Sequence, residues 1–330
     1  MENLDQLAIK NFREYLQIPS VHPDISYDDC VTFIKKQAES LDLPVQVHHL
    51  SPIKPVVIVT WIGKEPELPS IMLNGHMDVV PVFENEWTHD PFGAEIDEHG
   101  NIFARGAQDM KSVSIQYLEA IRRLKKENVT LRRTIHVSFV PDEEISGGLG
   151  MEAFTKTKEF KELNVGFALD EGTAAPDGVF SLYYGERARW VTRIHCQGQP
   201  GHGSLLLDNT AGAKARVILD KFYELREQEK KKLDDDPNLT TGDVTSVNLT
   251  IIEGGVQNNV IPPEFTLTFD CRIARTVDLK EFEKTLNKWC EEAGEDVWIE
   301  YEQKDSHTPA TNLDETNQFW IAFKKAFDNM

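Results

Sequence analysis

Ser70-Ile-Met-Leu-Asn-Gly-His-Met-Asp78 begins as an apolar strand and ends on a histidine and a carboxylate. Three later stretches carry carboxylates at the same kind of exit: Arg105-Gly-Ala-Gln-Asp109, Pro141-Asp-Glu-Glu144 after an apolar run, and Leu169-Asp-Glu-Gly172 after another. They recur at intervals near the roughly 30-residue length of a strand-helix-strand unit. In an open, mostly parallel sheet, ligands bind beyond the carboxyl ends of the strands, so residues distant in sequence meet on one rim. One histidine with several carboxylates on such a rim suits a divalent metal, with zinc the first choice.

The 330 residues are enough for two domains, and 40% hydrophobic with 27% charged content is ordinary for a globular chain. A net charge of −20 argues against a nucleic acid or an anionic membrane surface as partner, since both need clustered Lys and Arg. The first twenty residues carry Glu2 and Asp5 where a signal peptide would be basic. No run approaches the ~18 apolar residues of a membrane span. A cytoplasmic protein is expected. Cys30, Cys196, Cys271 and Cys290 form no C-x-x-C pattern and read as reduced core thiols.

Helical spacing of apolar residues predicts helices over Glu2–Gln17, Asp28–Leu41 and Lys111–Lys126, the last with a stripe of Val113, Tyr117, Ala120, Ile121 and Leu124. Strands are predicted over Val45–Leu50, Val56–Trp61, Ser70–Leu73, Thr134–Val140 and Val165–Leu169. A hairpin is expected at Ala94–Asp97 and Asn101–Ala104, and a helix around Gly150–Phe160. From about Gly185 the predicted order is strand (Arg189–Gln197), helix (Asn209–Lys232, capped by Asp208 or Asn209), two strands (Val244–Glu253, Glu264–Ile273), helix (Asp278–Ala293) and strand (Val297–Tyr301). That β-α-β-β-α-β order is ferredoxin-like. The expected fold is therefore α/β. A mostly parallel-sheet catalytic domain, 1–184 and 305–330, carries an inserted α+β domain, 185–304, with an amphipathic helix Asp314–Asp328 returning to the first domain.

His76 and Asp78 lie two apart on an extended segment and share a face. The carboxylate can then accept the second ring N–H of a metal-bound imidazole. His76 is the expected ligand and Asp78 its orienting partner. Glu143 and Glu144, adjacent on an extended exit, would point in opposite directions, one to metal and one to substrate. Asp170 and Glu171 pose the same choice, which periodicity leaves open.

Gly75-His-Met-Asp78, Ala104-Arg-Gly-Ala-Gln-Asp-Met-Lys111, Pro141-Asp-Glu-Glu-Ile-Ser-Gly147, Leu169-Asp-Glu-Gly172, Gly201-His-Gly-Ser204 and Asn258-Asn-Val-Ile-Pro262 run in order through the whole chain. Together they resemble the dinuclear zinc family of carboxypeptidase G and aminoacylase, and the variants at Arg105–Lys111 and Leu169–Gly172 are most similar to its aminoacylase branch. The resemblance implies a zinc-dependent amidohydrolase cleaving N-acyl-L-amino acids to a carboxylate and a free L-amino acid. It implies two zinc ions bridged by Asp109, with His76 and Glu171 on one and Glu144 and a C-terminal His on the other, and Glu143 as general base. Glu171 is chosen over Asp170 because the family ligand immediately precedes a Gly or Pro.

The resemblance further implies a homodimer formed through the inserted domain. His202 would stabilise the oxyanion in the partner subunit's site, and Asn259 and Arg272 would bind the substrate carboxylate; for Arg272 a structural salt bridge is the competing account. The remaining histidines, His22, His48, His49, His89, His99, His136, His195 and His307, lack metal-like context. Trp87 and Phe92 read as packing residues able to line an acyl pocket. The family's last zinc ligand, a His beyond the Asp314–Asp328 helix, has no counterpart, because His307 precedes that helix. The second zinc is therefore expected to bind weakly, and the C-terminal part of the family pattern is missing. The rival expectations are a dipeptidase or carboxypeptidase of the same family and an inactive, truncated dimerising product.

Overall fold

A computed structural model describes residues 3–23, 25–172, 174 and 181–329, and the chain divides into two compact units, Met1–Leu182 and Tyr183–Met330. In the first unit the order is α1 (Leu4–Leu16), α2 (Asp28–Ser40), β1 (Val45–Ser51), β2 (Lys54–Trp61), β3 (Ser70–His76), β4 (Glu95–Ile96), β5 (Ile102–Phe103), α3 (Lys111–Lys126), β6 (Ile135–Val140), α4 (Met151–Thr155), α5 (Lys158–Glu162) and β7 (Val165–Leu169). The sheet runs β1-β2-β6-β3-β7. It is mixed: β6, β3 and β7 are mutually parallel, while β2 pairs antiparallel with both β1 and β6. The parallel trio carries the site. Val56 to Val59 on β2 are fully buried, as a strand covered on both faces should be.

The Asn3 side chain accepts from Asp5 N and caps α1, whose expected start at Glu2 lies outside the described residues. The buried face of α3 is centred on Ile115, Leu118 and Ile121, of which Ile121 alone belongs to the stripe read from the sequence; Tyr117 packs at its edge and Ala120 is exposed. Polar residues share that face, which hides it from an apolar count. Glu119, 6% exposed, accepts from Asn11 (2.8 Å) and Arg122, and Lys111 and Ser114 are fully buried. The single helix expected over Gly150–Phe160 is two short ones, because the Thr157 hydroxyl accepts from Phe160 N and starts a new cap.

The second unit contains β8 (Ala188–Gln197), β9 (Gly201–His202), α6 (Ala211–Asp235), β10 (Ser246–Gly254), β11 (Val260–Ile261), β12 (Glu264–Ile273), α7 (Leu279–Ala293), β13 (Val297–Lys304) and α8 (Gln318–Phe327). Its antiparallel sheet, β10-β12-β8-β13, has the ferredoxin-like order. Ile218 and Phe222 of α6 pack on it, Phe222 stacking on Phe269 at 3.7 Å. Thr210 caps α6 in place of Asp208 or Asn209, accepting from Ala213 N; Asn209 instead adopts φ +59°, a left-handed conformation common for Asn. The segment from 305 onward, expected with the first domain, divides with this unit. Trp190 Nε1 donates to Asp305 O (2.8 Å), His307 Nε2 to Val277 O (2.8 Å) and Thr311 N to Tyr184 O (2.7 Å). None of the α8 residues is buried. All four cysteines are free and buried. Among the described residues no helix is long and apolar enough to cross a membrane.

Candidate metal centre

Strand register assembles the site. His76 lies opposite Val140 on β6, and Leu73 opposite Leu169 on β7, so the exits of all three strands open side by side. Helix α3 packs against the same rim. A Cβ on Gly75 would sit 2.6 Å from Ser114 Oγ, so the glycine lets α3 approach β3 with that hydroxyl where it stands. The helix follows directly after Asp109, which places that carboxylate at the rim.

The His76 side chain is 1% exposed, and both of its nitrogens face acceptors. Nε2 lies 2.9 Å from Asp109 Oδ1 and 3.3 Å from Glu171 Oε1. Nδ1 donates to the Asp78 backbone carbonyl at 2.8 Å, with the Asp78 carboxylate farther away at 3.4 Å. The partner that fixes the ring is thus mainly a carbonyl. The Asp78 carboxylate, fully buried, instead accepts from Glu143 N and Glu144 N, both at 3.1 Å. It cups the turn that carries the acidic pair.

That turn is not the extended exit expected from the sequence. Asp142 takes the left-handed conformation at φ +63°, and Glu143–Ile145 form a single 3-10 turn. The buried Asp142 carboxylate is its post, accepting from Leu149 N (3.0 Å) and pairing with Lys54 Nζ (3.4 Å), itself buried. Sequence reading passed over this ion pair, although a lysine opening the buried run of β2 was the available signal. Of the other adjacent acids, Asp170 accepts from Asn74 Nδ2 (2.8 Å), and Asn74 in turn accepts from Ser138 (2.7 Å), while Glu171 turns to His76.

The electrostatics leave room for a cation. Burial raises the Glu143 carboxyl above its ordinary range, opposed by His76 and reinforced by Glu171 and Asp78. Burial, followed by the neighbouring Asp109 charge, pushes Glu144 up to about 7. Burial alone would lower His76, but its hydrogen bonds to Asp109, Asp78 and Glu171 together raise it to about 12. The Asp109 carboxyl is held below its ordinary range by its hydrogen bond to His76. One imidazolium faces an excess of carboxylates, and a divalent ion would neutralise that excess. Two sets of side chains, His76 with Asp109 and Glu144, and His76 with Glu143 and Glu171, each bring their ligand atoms within 4.8 Å of one another. A nitrogen-and-carboxylate set of this kind fits zinc-type coordination.

His202, Asn259 and Arg272 belong to the second unit. His202 lies in the short β9–β11 pair, where Gly203 N donates to Asn259 O (2.7 Å), so His202 and Asn259 are structural neighbours. Arg272 on β12 pairs with Asp270 at 2.7 Å, and Asp270 also pairs with Arg189 at 3.2 Å.

The model of peptidase family M20/M25/M40 matches residues 72–329, a span that includes every strand exit described above. The chain belongs to that family. It is 48% identical to mouse Aminoacylase-1 over 97% of its own length and 78% of that protein, and 48% identical to human Aminoacylase-1 over 98% and 79%. Among solved structures, an M20 family metallo-carboxypeptidase from Sulfolobus solfataricus aligns over all of this chain and 84% of its own, with a TM-score of 0.71 at 21% identity. The M20 chain is therefore a hydrolase of amide bonds, and the rim of β3, β6 and β7 is its candidate metal centre.

Proposed function

We propose that this chain is an aminoacylase, a zinc-dependent amidohydrolase that releases a carboxylate and a free L-amino acid from N-acyl-L-amino acids, acting in the cytoplasm as a homodimer. The observation that carries the reading is the convergence of His76, Asp109, Glu143, Glu144 and Glu171 on one rim of a chain 48% identical to an aminoacylase. In this reading His76, Asp109 and Glu171 would hold one ion, and Asp109 and Glu144 would contribute to holding the other. Bound there, two divalent ions would polarise the amide carbonyl and lower the pKa of a water.

Glu143 is the general base. It takes a proton from the attacking water as the new C–O bond forms and delivers it to the nitrogen as the C–N bond breaks. Exposed at the rim yet raised in pKa, it is suited to carry a proton in both directions. Asp78 positions Glu143 through the backbone N–H it accepts. His202 donates to the developing oxyanion of the partner subunit's substrate. Asn259 and Arg272 hold the substrate carboxylate, the planar guanidinium suiting a carboxylate with two hydrogen bonds. Asp270 would keep Arg189 as partner while Arg272 engages substrate.

The test is hydrolysis of N-acetyl-L-methionine against simple dipeptides by the zinc-loaded protein. Preference for the acyl amino acid supports the proposal. Preference for dipeptides would make the chain a dipeptidase or carboxypeptidase of the family, and turnover of neither would favour a non-catalytic dimer.

A further inference from the structure

The turn that carries Glu143 is held in a conformation that its own residues disfavour. Asp142 at φ +63° and Ser146 at φ +81° bracket Glu143–Ile145, and both are left-handed without being glycine. Such conformations persist only where the surroundings over-determine them. Two buried carboxylates supply the constraint. Asp78 accepts from the amides of Glu143 and Glu144. Asp142 ties the rest of the turn: its carbonyl accepts from Ile145 N (3.2 Å) and Gly147 N (2.7 Å), and its carboxylate accepts from Leu149 N (3.0 Å).

Lys54 anchors Asp142 to the sheet. The β2–β6 pairing sets Val57 opposite Phe139, and the same antiparallel register, carried to the start of β2 and the exit of β6, brings Lys54 beside Asp142. There Nζ lies 3.4 Å from Asp142 Oδ2, with the two side chains only 7% and 3% exposed. The other carboxylate oxygen, Oδ1, is buried with no hydrogen-bond partner among the described residues, so the charge of Asp142 is met chiefly by Lys54. A buried ion pair is weak ground for stability, since an apolar pair of similar volume often serves as well. What this one supplies is placement: the strand fixes Lys54, Lys54 fixes Asp142, and Asp142 fixes the residue that follows it.

We infer that Lys54 is a positioning residue for the general base: through Asp142 it sets where the Glu143 carboxylate stands, without itself taking part in the chemistry. The inference rests on the aminoacylase reading for the role of Glu143 and adds a residue that the reading does not include. A base displaced even slightly loses its alignment with the proton it must take, so the loss falls on kcat, while KM is governed by residues elsewhere.

The test pairs amide hydrogen exchange with kinetics on N-acetyl-L-methionine at saturating zinc. Lys54→Met alone leaves the Asp142 carboxylate buried and uncompensated, which endangers folding. The deciding variant is therefore the double substitution Lys54→Met with Asp142→Asn, which removes both charges and keeps a residue type that tolerates the left-handed conformation. In it kcat should fall about 10–100-fold with KM within about twofold of wild type. The Glu143 and Glu144 amides should exchange at least about tenfold faster, while those of β3 keep their rates. Arg122→Met breaks another buried pair of the same unit, Arg122 Nε to Glu119 Oε2 at 3.0 Å, and should lower the melting temperature while leaving kcat unchanged. Wild-type kcat in the double variant, unchanged exchange at those two amides, or an equal loss of kcat in Arg122→Met would each overturn the inference. A wild-type protein that hydrolyses no N-acyl amino acid would instead refute the aminoacylase reading, and the exchange measurement would still decide whether Lys54 holds the turn.

Discussion

Replacing Asp78 by alanine should destabilise the metal-free first unit through the acidic turn, more than through His76. The carboxylate is fully buried and accepts two backbone N–H groups, Glu143 N and Glu144 N, each at 3.1 Å. Each amide left without an acceptor costs about 1–3 kcal/mol, and the lower half of that range suits partly buried donors, giving about 3 kcal/mol for the pair. For a unit of this size that corresponds to a melting temperature lower by about 6–12 °C. His76 keeps its 2.8 Å hydrogen bond to the Asp78 backbone carbonyl, which the substitution leaves in place. Zinc affinity should therefore fall less than the roughly 10–100-fold usual when a ligand loses its orienting group. Asp78→Asn retains one acceptor oxygen and should lose about half as much stability. The assay is a thermal melt of chelator-treated protein, paired with a zinc titration. A melting point within about 2 °C of wild type, together with a large loss of zinc affinity, would refute the reasoning and make the carboxylate the true support of the histidine.

Glu143→Ala should lower kcat by about 10²–10⁴ with zinc content nearly unchanged; loss of zinc instead would assign Glu143 the ligand role given to Glu144. Arg272→Ala should raise KM for substrates with a free carboxylate, and an unchanged KM would leave the ion pair with Asp270 as its whole purpose. Lys111 is fully buried, donates to Tyr15 O (3.2 Å) and Ile18 O (2.7 Å), and is lowered by burial to about 8. The unfolded chain keeps that proton up to about pH 10.4, so between pH 8 and 10.4 it binds more protons than the folded chain and stability should rise with pH. Urea unfolding of Lys111→Met across that window should lack the rise; parallel curves would show that Lys111 is not the group responsible.

Much of the site was legible because strand exits announce themselves. An apolar run ending in His76, in Glu143-Glu144 or in Asp170-Glu171 needs only parallel neighbours for its end residues to meet, and β3, β6 and β7 are such neighbours. The ferredoxin-like order of the second unit was readable from element succession alone. The backbone of the acidic pair was not. Whether Glu143-Glu144 is extended or a 3-10 turn depends on Asp142 adopting φ +63° and on Lys54, far away in sequence, pairing with its carboxylate. Nor could spacing show that His76 leans on a backbone carbonyl, since i, i+2 geometry constrains side-chain faces and says nothing of which oxygen lies nearer. The α3 stripe was misjudged for a related reason: Lys111, Ser114 and Glu119 are polar yet buried, because each has partners or packing that the helix periodicity cannot register. Asp270 and Arg272, two apart on β12, share a face and could have been paired in advance.

The claim on which the rest depends is that Asp109 joins the ligand sets on this rim. The most direct measurement is zinc stoichiometry by mass spectrometry and calorimetry on wild type and Asp109→Ala. The expected result is zinc bound by wild type and lost in the variant. Wild-type stoichiometry retained in Asp109→Ala would contradict the account.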